Sequence, residues 1–186
     1  MGAYTTNAIS DADYKRMIDT LRTGYIHNGK KHRPNNQIAD ILVLEANLGC
    51  RLGDIVKLTK DSIIRDGDMW KLNIREEKTN KPRTFIVPDA VYKFIDGLTD
   101  NNQLFTVSKS AVWKALREVT DYLNLDKTSS HSIRKMAGNK IYEATGYDIE
   151  ATARFLNHSS VNTTRRYIRR SDKQMEDAIT KIVSIA

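Results

Sequence analysis

The hydrophobic period of this chain changes twice, and nothing else in it constrains the fold as tightly. Between Ser10 and Leu48 apolar residues recur every three or four positions, as on one face of a helix. Tyr14, Met17, Ile18 and Leu21 make the first such stripe, and Ile38, Ile41, Leu42, Leu44 and Leu48 the second. From Ile63 to Val87 the period drops to two: Trp70, Leu72 and Ile74 alternate with Lys71, Asn73 and Arg75. An Asp66-Gly67 turn signal precedes them, and Thr84 to Val87 forms a further short run that stops at Pro88. Helical periodicity then returns over Asp89–Leu98, Ser108–Leu123, Ser130–Thr145, Asp148–Phe155 and Ser171–Ile185. The pattern predicts an α+β fold, mainly α, with one small antiparallel β-sheet near residues 62–88. The 186 residues fit a single domain, and three prolines and nine glycines leave no long linker.

Local signals sharpen some boundaries. Ser10, with Asp13 three residues on, reads as the cap of a helix reaching about Arg22, and Pro34 suits the first turn of the helix ending at Leu48. The stretch His27 to Arg33 reads as a basic loop. No apolar run reaches membrane-spanning length and the N-terminus has no signal-peptide pattern, which favours the cytoplasm. A single cysteine, Cys50, excludes a disulfide framework and a multi-cysteine zinc site, and it reads as a small core residue. A formal net charge of +7 points to a polyanionic partner, because neutralising phosphates releases counterions.

Four places carry candidate chemistry. His131 and Arg134 stand three apart at a helix start that Ser129 or Ser130 can cap, so both side chains are expected on one face near an anion-attracting helix end. Arg51 lies at the junction of two apolar helical stretches, with Asp54 three residues on to orient it. Lys78 sits on the polar tip between two strands, where an ammonium can reach a DNA groove, and Lys81 is its rival. His158 and Tyr167 flank a polar turn and a short helix. A tyrosine attacks a phosphodiester only beside cations, or beside a base that takes its proton. Read singly, each of these has a plain structural explanation.

Taken in order, Arg51, Lys78, His131-x-x-Arg134, His158 and Tyr167 resemble the catalytic domain of the tyrosine recombinases, the phage integrase family. The likeness runs over about residues 10–180. Its most specific stretches are Gly49-Cys50-Arg51-Leu52-Gly53-Asp54-Ile55, Lys78 to Arg83, His131-Ser132-Ile133-Arg134-Lys135, and Leu156-Asn157-His158-Ser159-Ser160 with Arg166-Tyr167. The resemblance implies a site-specific recombinase acting on double-stranded DNA, from a mobile element, with neither cofactor nor metal. Tyr167 would attack a phosphodiester and form a 3′-phosphotyrosyl link. Arg51 and Arg134 would hold the non-bridging oxygens, and His131 would help accept the tyrosine proton. His158 would hydrogen-bond the phosphate, Lys78 would protonate the leaving 5′-oxygen, and Asp54 would support Arg51. Asn157 stands where the family usually has glycine.

The resemblance also implies an N-terminal DNA-clamping domain that this chain begins too late to hold, so residues 1–186 are expected to be the catalytic part of a longer integrase, the alternative being one of the compact members that act almost as bare catalytic domains. The amphipathic segment Ser171 to Ile185 would join neighbouring copies in a tetramer on DNA. Lys30, Lys31, Arg33, Lys81, Arg83 and Lys135 are expected DNA contacts, with Lys109, Lys114, Arg117 and Lys140 as further candidates. Arg134→Ala is expected to abolish cleavage with the fold intact. The competing readings are a type IB topoisomerase-like relaxing enzyme and a catalytically silent DNA-binding module of the same fold.

Overall fold

A computed structural model describes residues 7–168. Helix α1 (Asp11–Thr23) starts where Ser10 Oγ accepts the Asp13 N–H, and it ends at Gly24, whose φ of +77° suits glycine. It buries Met17, Ile18 and Leu21 against α2 (Asn36–Leu48). Asn35 caps α2 and accepts the Ile38 N–H at 3.2 Å, so Pro34 stands just before the helix and not in its first turn. Ile38, Ala39, Ile41, Leu42, Leu44 and Leu48 are all buried, so α2 is the central helix of the core. The short α3 (Leu52–Ile55) follows at once, with Arg51 as its N-terminal flanking residue.

The period-two stretch forms one antiparallel sheet of three strands, β3 (Ile63–Asp66), β4 (Met69–Arg75) and β5 (Pro82–Val87), in the order β3-β4-β5. Asp66 pairs with Met69, so the turn is Gly67–Asp68, one residue later than the Asp66-Gly67 signal, with Gly67 at φ +60°. Leu72 is fully buried. Trp70 is half-buried and stacks on Tyr92 of α4 (Asp89–Asp96), ring centroids 3.5 Å apart. The remaining helices are α5 (Lys109–Tyr122), α6 (Ser130–Ala144), α7 (Ile149–Phe155) and α8 (Val161–Tyr167). Among the described residues no helix is long and apolar enough to cross a membrane. The expected helix over Ser171–Ile185 lies outside the described residues.

One expectation is corrected here. The basic loop after α1 is a second hairpin, β1 (Tyr25–His27) with β2 (Lys30–His32), in which Tyr25 pairs with His32 and His27 with Lys30. Asn28 and Gly29 both take positive φ, +49° and +73°, as a tight two-residue turn between right-twisted strands requires. The hairpin docks on the C-terminal half of α5. Lys30 pairs with Glu118 at 3.1 Å, His27 with Asp121 at 3.1 Å, and Tyr25 stacks on Tyr122.

Candidate active site

Two buried arginines organise the site, and they do it in parallel. Arg134, from α6, donates through Nη1 to the Gly49 carbonyl and through Nη2 to the Leu156 carbonyl at 2.5 Å. Arg83, from β5, donates through Nη2 to the neighbouring carbonyls, Leu48 at 2.7 Å and Phe155 at 2.6 Å. Both side chains therefore clamp the end of α2 to the end of α7, with one residue left before Arg51 and one before His158. The carbonyls at a helix end lack intrahelical donors, so a guanidinium fork fits them well. Gly49 closes α2 in the left-handed region at φ +56°, and a Cβ there would collide with the Phe155 ring, so the clamp is tight enough to require glycine.

Arg83 was expected to touch DNA. At 3% exposure, with its fork bound to two carbonyls and to Glu76, it is an internal brace. Arg134, 1% exposed, is likewise deep in the fold, while His131 stays exposed at the rim. The two do not share one outward face as their spacing suggested. Ser129 is the residue that precedes α6, and its N–H donates to Ser132 Oγ at 3.1 Å.

A carboxylate that the sequence reading passed over, Glu76, links the arginines. It is 1% exposed. Its Oε2 accepts from Arg51 Nη1 at 2.5 Å and from Thr79 Oγ1 at 2.7 Å, and its Oε1 accepts from Arg83 Nη1 at 3.2 Å. Burial alone would raise its pKa. Hydrogen bonds from Thr79 and Asn157, and the charge and hydrogen bond of Arg51, outweigh burial and hold the carboxyl below its ordinary range. Asp54, expected to support Arg51, does something else: its Oδ1 accepts the Glu77 N–H at 2.8 Å and anchors the strand tip beside Lys78.

Tyr167 and His158 meet edge to face, ring centroids 5.2 Å apart, and Lys135 Nζ lies 5.4 Å from the Tyr167 ring centre. Burial pushes the Tyr167 phenol up to about 12, and the positive charge of Arg134 pulls against it. The Tyr167 oxygen is buried and makes no hydrogen bond of good geometry among the described residues. His158 Nδ1 contacts Thr164 Oγ1 at 2.9 Å. Burial and then the charges of Arg134, Arg51 and Arg83 push its pKa down to about 4. Burial, followed by Arg134, Lys78, Arg51 and Lys135, lowers His131 as well. Both imidazoles are therefore neutral at pH 7. Below them Glu45 of α2 is buried, and burial drives its carboxyl well above the ordinary range despite Arg134.

Arg51 and His131 border an open cleft of about 530 Å³ that Asp54, Lys78, Lys109 and Trp113 also line, whereas His158 lines a separate depression with Arg83 and Ser159. Lys78 faces this cleft, whereas Lys81 turns away to donate to Ser159 Oγ at 2.9 Å. Lys109 lies 4.8 Å from the centre of the half-exposed Trp113 ring, which adds an aromatic wall that the sequence reading did not single out. Lys31 and Arg33 are exposed on or beside the first hairpin. That hairpin meets α5 at Glu118, about 13 Å along the helix from Lys109. Lys140 pairs with Asp11 at 2.6 Å, and Lys114 and Arg117 are exposed on α5. Cys50 is buried, and burial raises its thiol to about 11, as suits a core residue.

Residues 8–174 match the model of the Phage integrase family. Among curated proteins, the chain is 27% identical over 139 residues to the probable integrase/recombinase YoeC of Bacillus subtilis, covering 69% of this chain and 75% of that protein. It is 29% identical over 158 residues to the tyrosine recombinase XerC of Caldanaerobacter subterraneus, covering 76% of this chain but only 43% of that protein. Among solved structures, the catalytic domain of bacteriophage HP1 integrase superposes with a TM-score of 0.66 at 17% identity, over 95% of each chain. The Tn1549 transposon integrase in complex with a circular intermediate DNA does so with a TM-score of 0.69 at 12% identity, over 96% of this chain and 66% of that one.

Proposed function

Since the chain belongs to the phage integrase family, we propose that it cleaves and rejoins double-stranded DNA at specific sites through a covalent 3′-phosphotyrosyl intermediate. The observation that carries this reading is that Arg51, Arg134, His131, His158 and Tyr167, contributed by segments far apart in the chain, come close enough for the two arginines to act electrostatically on both histidines and on the tyrosine. The Tn1549 integrase, similar in fold, is bound to DNA, which supports DNA as the partner here.

The roles follow from the chemistry of each group. A phosphate entering the cleft meets the unbonded N–H groups of Arg51, and the buried charge of Arg134 behind it adds to the field that stabilises the pentavalent transition state. With the DNA closing over it, the Tyr167 phenol gives its proton to neutral His131 as its oxygen attacks phosphorus. Neutral His158, with Nδ1 facing Thr164, keeps Nε2 to donate to a phosphate oxygen. Lys78 delivers a proton to the departing 5′-oxygen, a role for which Lys81 is already turned elsewhere. The new ester keeps the energy of the old one, so a second 5′-hydroxyl can reverse the step on another strand. Ser171 to Ile185 is assigned to docking on a neighbouring copy within a tetramer.

Covalent trapping tests this. The chain is incubated with nicked duplexes tiled across the DNA flanking its own gene, and mass spectrometry searches for a nucleotide adduct. An adduct on Tyr167 that vanishes in Tyr167→Phe is expected. No adduct from this chain, nor from a version extended at its N-terminus, would move the reading to a silent DNA-binding module.

A further inference from the structure

Glu76 is tied to the site in two ways. Its side chain grips Arg51 and Arg83, as described. Its main chain closes the hairpin tip: the Glu76 N–H donates to the Lys81 carbonyl and the Asn80 N–H to the Glu76 carbonyl, both at 2.9 Å. Thr79, beside Lys78, adds its hydroxyl to the same carboxylate. One residue thus joins the arginine at the start of α3 to the turn that carries the lysine, and Arg83 extends the link to the Phe155 carbonyl at the end of α7, just ahead of His158. A buried ion pair kept only for stability is poorly suited to that purpose, since desolvation cancels much of its attraction. Here the carboxylate occupies one donor of Arg51, and the other N–H groups of that guanidinium have no partner among the described residues.

We infer that Glu76, backed by Arg83, is the positioning residue of this site: it orients Arg51 toward the phosphate and holds the Lys78 hairpin in the same frame. It touches neither DNA nor the reacting atoms, and it acts through those two side chains. The assignment rests on the roles proposed above for Arg51 and Lys78. A positioning role separates two quantities that a structural role leaves coupled. With the carboxylate neutralised, Arg51 keeps its charge and still attracts phosphate, but it no longer points correctly, so the rate at saturating DNA falls while affinity holds.

The test measures single-turnover adduct formation and DNA affinity for the wild-type chain, Glu76→Gln and Thr79→Val, each shown by thermal melting to be folded at the assay temperature. The expected result for Glu76→Gln is a loss of roughly 10- to 100-fold in the rate at saturating DNA, with the dissociation constant moved by less than about threefold. Thr79→Val, which leaves every charge in place, shows a smaller loss of the same kind and stands in if Glu76→Gln does not fold. Wild-type rates in the folded variants overturn the role, as does a loss confined to affinity. A wild-type chain that forms no adduct overturns the functional reading and this role with it, an outcome distinct from a wild-type adduct with indifferent variants.

Discussion

Arg134 belongs to the core as much as to the site. Its guanidinium satisfies two helix-end carbonyls and is the cation nearest in effect to buried Glu45 and Tyr167. The expectation that Arg134→Ala spares the fold therefore needs revising. Alanine leaves two buried carbonyls without donors, at a cost of about 3 kcal/mol. Urea denaturation should show that loss beside the loss of cleavage. A change under about 1 kcal/mol would mean that the clamp is slack. Lysine is no remedy for the geometry, because an ammonium cannot present a planar fork to both carbonyls.

The turn between α7 and α8 depends on one left-handed residue. Asn157 has φ +51°, and its side chain approaches the Pro82 carbonyl at 3.4 Å. Asparagine tolerates this conformation where alanine does not, so Asn157→Ala should cost about 1 kcal/mol and Asn157→Gly much less. Equal destabilisation by both, measured by thermal melting, would assign the site to the side chain and not to the backbone. Elements of this kind were largely legible in the sequence. The helices and the three-stranded sheet follow from periodicity and local propensity, and the need for a permissive residue at 157 is implied by the family resemblance. The first hairpin was missed because its strands are polar, although Asn28-Gly29 is a strong turn signal. Glu76, and the inward turn of Arg83, left no local trace. Glu76 is 25 residues from Arg51, and Arg83 is 72 from Phe155, so neither partner can be read from neighbours in the chain.

At the scale of the molecule, burying so many titratable groups beside one cationic cleft makes stability depend on pH at both ends. An unfolded chain protonates histidine near its ordinary pKa, whereas folded His158 stays neutral down to about 4. Between those values the unfolded state holds more protons, so stability falls as pH drops through this window. Glu45, raised by burial, works in the opposite sense over part of the window, so the share of His158 is read as the difference between wild type and His158→Gln. On the alkaline side Tyr14 and Tyr167 ionise only near 12 in the fold, and stability declines as pH rises past the ordinary tyrosine value. Denaturation curves from pH 4 to 11 should trace a plateau around neutrality, and no decline above pH 10 would contradict the burial of these phenols.

The paired arginine clamp has a further consequence for the life of the chain. Arg134 reaches back 85 residues to Gly49, and Arg83 reaches forward 72 to Phe155, so the catalytic groups acquire their arrangement only when both closures are complete. A nascent or half-denatured chain holds every reactive side chain and no means of using them. For the strand cleavage proposed above, competence then arrives together with complete folding.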